Sequence, residues 1–108
     1  MREHAQGGAL TEPTLFILLS LCRPRHGYAI RQMIREETGG RLELGAGTLY
    51  GALNTLSDKG WIAPCGTEHG RKKEYQLTEQ GRAALQQELI RLRNVSEIAE
   101  TILRRDFP

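Results

Sequence analysis

Hydrophobic positions keep a helical period from about residue 11 to 59, switch to alternation through residue 77, and return to a helical period from residue 78 onward. The run LFILLSLC (15–22) is apolar nearly all round, which predicts a first helix covered from several sides. Thr11 is placed to cap it, with Pro13 in its first turn and Pro24 at its end. Gly27 opens a second helix in which Ile30, Met33, Ile34 and Glu37 share a face. Tyr28, Gln32 and Arg35 lie opposite, with Arg31 beside them, and Gly39 and Gly40 stop the helix.

The third helix, from about Gly47 to Lys59, places Leu49, Leu53 and Leu56 on one side. Gly51, Asn54 and Asp58 form the other side, with Thr48 and Tyr50 at its margins, and Gly60 supplies the stop. WIAPC (61–65) and KEYQL (73–77) then read as two strands, with a glycine-containing, cationic turn between them. Thr78, followed by Glu79, caps a last helix. There Leu85, Leu89, Leu92, Val95, Ala99, Ile102 and Leu103 make one long apolar stripe.

The expected fold is mainly α with a small β-hairpin: a winged helix–turn–helix plus a long C-terminal dimerisation helix. Residues 1–10, aperiodic and containing Gly7 and Gly8, read as a flexible arm. Residues 11–77 read as the winged domain and 78–108 as the dimerisation helix. The a- and d-like spacing of the last stripe, over about three heptads, suits a helix from a second copy. Packing on its own domain is the alternative, but the helix is long for so small a core.

Composition narrows the chemistry. The chain has 108 residues, 39% hydrophobic and 26% charged, as in an ordinary soluble domain. A net charge of +2 does not by itself point to nucleic acid, so any basic signal must be local. Arg71, Lys72 and Lys73 are consecutive, and Arg23 and Arg25 flank Pro24. Cys22 and Cys65 form no CxxC pair, which favours a reducing cytoplasm. The 15–22 run is too short to span a bilayer. The histidines and cysteines lack zinc-ligand spacing, so no metal or other cofactor is expected. No nucleophile motif or phosphate loop recommends an enzyme.

The third helix and the hairpin carry the functional signal. A helix entering the major groove needs short polar side chains, which Thr48, Tyr50 and Asn54 supply, while Gly51 lets the backbone come close. A merely wet outer face is the bland reading, and alone it is the commoner one. Arg71, Lys72 and Lys73 sit where a wing would meet phosphates, although solvated charge runs are also common at hairpins. A polar helix front followed by a basic wing is harder to explain by chance. Tyr28, near a helix N-terminus, suits a phosphate contact, with Arg31 and Arg35 adding to it. The bland reading for Tyr28 is packing on a neighbour. His26 suits either a phosphate contact or a cap. A winged-helix module that binds proteins and not DNA is the alternative function, and it would have no need of the basic wing.

HGYAIRQMI (26–34), GTLYGALNTLSDKGWI (47–62) and GRKKEYQLTEQGR (70–82) resemble the hallmark segments of PadR-family transcriptional regulators. The short final helix resembles the small subfamily that includes the lactococcal multidrug regulator. The resemblance implies a homodimeric winged-helix repressor on a pseudo-palindromic double-stranded operator, relieved by a small-molecule effector. It places Tyr28, Thr48, Leu49 and Tyr50 in DNA-contacting segments and Gly70 and Arg71 in the wing. Gly51 departs from the family's usual proline, and Glu74 from a commonly aromatic or basic residue. No Trp lies on the last helix, so a flat-drug pocket built on that residue is not expected.

Overall fold

The computed structural model describes residues 8–66 and 73–108. Helix α1 (Glu12–Ser20) begins where the Thr11 hydroxyl accepts the Thr14 amide hydrogen at 3.3 Å, with proline in its first turn. Ile17, Leu18 and Leu21 are essentially fully buried at the centre of the core, while Leu19 and Cys22 of the same apolar run are exposed. Helix α2 (Gly27–Glu37) contributes Ile30 and Ile34, and α3 (Ala46–Asp58) contributes Leu49, Leu53 and Leu56. Glu37, expected on the buried face of α2, is exposed, because the core ends one turn earlier at Ile34. Leu44, in the α2–α3 connection, is buried instead.

The stops fall at the expected glycines. Gly39 and Gly40 have φ of 62° and 82°, and Gly60 has φ of 80°, a region in which side chains bearing a Cβ are strained.

The sheet holds one element that the periodicity did not reveal. A two-residue strand, β1 (Arg25–His26), precedes α2 and pairs antiparallel with β3 (Glu74–Leu77). Strand β2 (Ile62–Cys65) takes the other edge of β3, giving the order β1-β3-β2. His26 stands opposite Glu74, and Arg25 opposite Tyr75. The start of α2 is thereby tied to the root of the hairpin.

Helix α4 (Glu79–Asp106) has 28 residues, about 42 Å at the α-helical rise. The Thr78 hydroxyl caps it by accepting the Gly81 amide hydrogen at 3.1 Å, and itself donates to the Gly60 carbonyl at 2.6 Å. Only Gly81, Leu85 and Glu88 of this helix are buried. Leu85 belongs to the chain's own core, so the exposed part of the stripe begins at Leu89. Leu89, Leu92, Val95, Ala99, Ile102 and Leu103 are all exposed. At the other end of the chain, the arm expected over residues 1–10 gives way by Leu10, which packs against the core. Residues 1–7 lie outside the described part. Among the described residues, no helix is long and apolar enough to cross a membrane.

Candidate nucleic-acid interface

The outer front of α3 is built by the same leucines that fix its back. With Leu49, Leu53 and Leu56 at 3% exposure or less, the helix cannot roll, and Thr48, Gly51 and Asn54 are held outward. A Cβ added at Gly45, Gly47 or Gly51 would meet nothing within 4 Å. The front therefore presents bare backbone between two hydrogen-bonding side chains, Thr48 and Asn54, which suits close approach to base edges.

The N-terminus of α2 lies beside the wing root because β1 pairs with β3. The His26 imidazole Nδ1 accepts the Ala29 amide hydrogen at 3.3 Å, so His26 is the N-cap of α2. Its ring stacks with that of Tyr28, centroids 6.5 Å apart, and Tyr28 is 63% exposed. Lys73 is exposed at the foot of the wing, its ammonium 5.8 Å from the centre of the Tyr75 ring. Gly70, Arg71 and Lys72 lie outside the described residues.

Arg31 and Arg35 have partners of their own. The Arg31 Nε donates to the Leu44 carbonyl at 2.8 Å and ties α2 to the connection before α3. The Arg35 Nε lies 3.6 Å from a Glu43 carboxylate oxygen, both side chains exposed. Sequence spacing could not show either contact, since both join α2 to an aperiodic loop. With Tyr28, Gln32 and Glu36 they line a shallow depression of about 150 Å³. Its carboxylates temper the positive charge of the two arginines.

A contact between α2 and α3 completes the site. A Cβ built on Gly27 would collide with the Tyr50 hydroxyl and stand 2.7 Å from the ring carbon that carries it. The Tyr50 ring thus rests on the backbone of Gly27, while about half of it, 48%, stays exposed.

Among the described residues, no three His, Cys, Asp or Glu side chains gather as a metal site would require. Burial, and then the Glu74 carboxylate, push the Cys65 thiol upward, away from the reactive thiolate.

The comparisons with known proteins agree with this geometry. The profile of the PadR-like family of transcriptional regulators matches residues 15–87. An uncharacterized 37.1 kDa protein of transposon Tn4556 in Streptomyces fradiae is 43% identical over 75 residues, 66% of this chain and 21% of that protein. The chain therefore spans about a fifth of that relative's length. RosR of H. salinarum is 30% identical with a TM-score of 0.68, over 90% of this chain and 93% of the other. A PadR family transcription regulator from Clostridium difficile R20291 is 26% identical with a TM-score of 0.71, over 83% and 96% of the two chains. The expected winged fold with a long last helix is thus shared with solved regulators, and the profile covers α2, α3, the hairpin and the start of α4. This chain belongs to the PadR-like family of transcriptional regulators.

Proposed function

We propose that this chain binds a specific double-stranded operator as a homodimer and represses transcription, with relief by a small-molecule effector. The observation that carries the DNA-binding reading is the shared location of three elements. The polar front of α3, the capped N-terminus of α2 and the root of the basic wing are brought together by the β1–β3 pairing and the α2–α3 contact. In this reading Thr48 and Asn54 meet base edges, while Tyr28, Arg31, Arg35, Arg71, Lys72 and Lys73 serve phosphates.

The homodimer is supported by the exposed stripe from Leu89 to Leu103, for which the described residues supply no cover. Two-fold symmetry would present two α3 helices to a pseudo-palindromic site. Repression and relief by an effector rest on the family resemblance.

In-vitro selection of DNA with the purified chain, at stated salt, tests the proposal. A two-fold symmetric consensus is the expected result. Enrichment of no sequence would favour the protein-binding module instead.

A further inference from the structure

Tyr50 stands at the margin of the recognition front, where its phenol would be taken for a base reader. The geometry gives it another role. Gly27, the first residue of α2, is buried and has no side chain, and the Tyr50 hydroxyl occupies the place where a Cβ would stand. The two nearest ring carbons would lie 2.7 and 3.2 Å from that Cβ. Ordinary van der Waals contact cannot absorb such approaches, so the ring and the backbone are in direct apposition.

Elsewhere the α2–α3 relation rests on the Arg31–Leu44 hydrogen bond and on aliphatic side chains in the core. Aliphatic packing alone permits small slides, whereas a rigid ring seated on bare backbone sets a distance. That distance separates the two parts of the interface: the end of α2, which would rest on phosphates, and the front of α3, which would read bases. Recognition tolerates about half an ångström of misplacement before contacts are lost.

We infer that Tyr50 is a positioning residue: its ring, resting on Gly27, sets how the recognition helix lies relative to the end of α2, and through that which operator is read. The inference rests on the DNA-binding reading above. It assigns Gly27 and Tyr50 one joint role and removes Tyr50 from the base contacts.

A double-mutant cycle on the full chain tests it, with Gly27→Ala, Tyr50→Ala, the pair together, and Tyr50→Phe. Affinities are measured for the selected operator and for a scrambled duplex at fixed salt, with melting curves of each protein. Gly27→Ala is expected to lower operator affinity by about tenfold or more and to leave scrambled DNA within about twofold. In the Tyr50→Ala background the same change should alter operator affinity by less than about twofold, since residues in contact are not additive. Tyr50→Phe keeps the ring and should match the parent within about twofold, as a hydroxyl that read a base could not. Equal losses from Gly27→Ala in both backgrounds, or a Tyr50→Phe loss as large as that of Tyr50→Ala, overturn the inference. If Gly27→Ala does not fold, the two Tyr50 variants alone decide. A parent chain that prefers no sequence sinks the DNA-binding reading, and this role with it, whereas a parent that discriminates while the cycle is additive sinks only the role of Tyr50.

Discussion

The Glu88 carboxylate, 3% exposed, accepts hydrogen bonds from Nε and Nη2 of Arg91 at 2.8 and 2.7 Å. Glu88 is the last buried residue of α4, so the pair closes the polar edge of the core where the helix leaves it. The Arg91 guanidinium holds the Glu88 carboxyl below the usual carboxylate range. Burial opposes this, and the Leu10 backbone amide and the charge of Arg91 add to it.

A folded-state pKa below the unfolded value, about 4.3 for glutamate, has a definite consequence for stability. The contribution is complete above the unfolded value and is lost as pH falls through the lower folded one. Glu88→Gln is expected to melt roughly 5 °C below the parent at pH 7. The gap should narrow as pH falls below the unfolded value and close only once the parent's folded carboxylate is itself protonated. Melting curves from about pH 2 to 7 check this, and a gap that does not narrow as pH falls would remove the ion pair as its cause.

Gly81 makes a second close approach. A Cβ there would overlap the Trp61 carbonyl oxygen and stand 2.9 Å from the Leu77 Cδ1. The first turn of α4 is thereby pressed against the junction between α3 and β2. Alanine is the better helix former by about 1 kcal/mol, but its methyl group has backbone in its way. Gly81→Ala should therefore destabilise the chain by roughly 1–3 kcal/mol, the usual range for overpacking. Denaturant midpoints measure it, and a gain in stability would mean that α4 shifts freely on the sheet.

Arg71 and Lys72 immediately precede Lys73 and β3 in the sequence. Phosphate contacts position a protein without reading sequence, so Arg71→Ala or Lys72→Ala should weaken binding to every duplex alike. Each should flatten the slope of log K against log salt concentration by about 1. An unchanged slope returns these residues to an ordinary solvated charge run.

Asn54 stands outward on α3 beside the bare backbone of Gly51. Asn54→Ala should cost about 1–3 kcal/mol on the selected operator and little on scrambled DNA. Competition binding with both duplexes separates the cases. An equal loss on both would show that Asn54 holds the backbone and reads nothing.

What was legible in the sequence follows from period and caps. Leu49, Leu53 and Leu56 repeat as a helix must, and Thr11, Thr78 and Gly60 cap or stop as their chemistry predicts. β1 was not legible, because two residues after Pro24 carry no alternation to read. Nor was the Arg31–Leu44 bond, since its acceptor is a backbone carbonyl in an aperiodic loop. The burial of Glu88 was not legible, because the fold brings Leu10 onto it, whereas its partner Arg91 stands only three residues on in the same helix. Leu85 fits the long stripe by spacing, yet the domain covers it, because a heptad pattern does not say where one partner ends and the next begins.

The last prediction concerns that boundary. Beyond Glu88 no residue of α4 is buried, while Leu89, Leu92, Val95, Ile98, Ile102 and Leu103 remain between 39% and 58% exposed. Burying one leucine contributes about 1.5–3 kcal/mol, so a second copy covering this stripe would gain more than most small interfaces need. Leu92, the least exposed of the six, lies within the first turn past the domain, where a partner helix would cross. Leu92→Asp would bury an unpaired carboxylate in that contact and should abolish the dimer at micromolar concentration. The fold of the winged domain does not depend on Leu92, so circular dichroism should be unchanged. One winged domain alone would keep its half-site contacts and lose the added affinity of a second. Sedimentation and operator titration of the variant test both links. A folded variant that still dimerises returns the stripe to some other use, and a folded monomer with full operator affinity separates the dimer from the function.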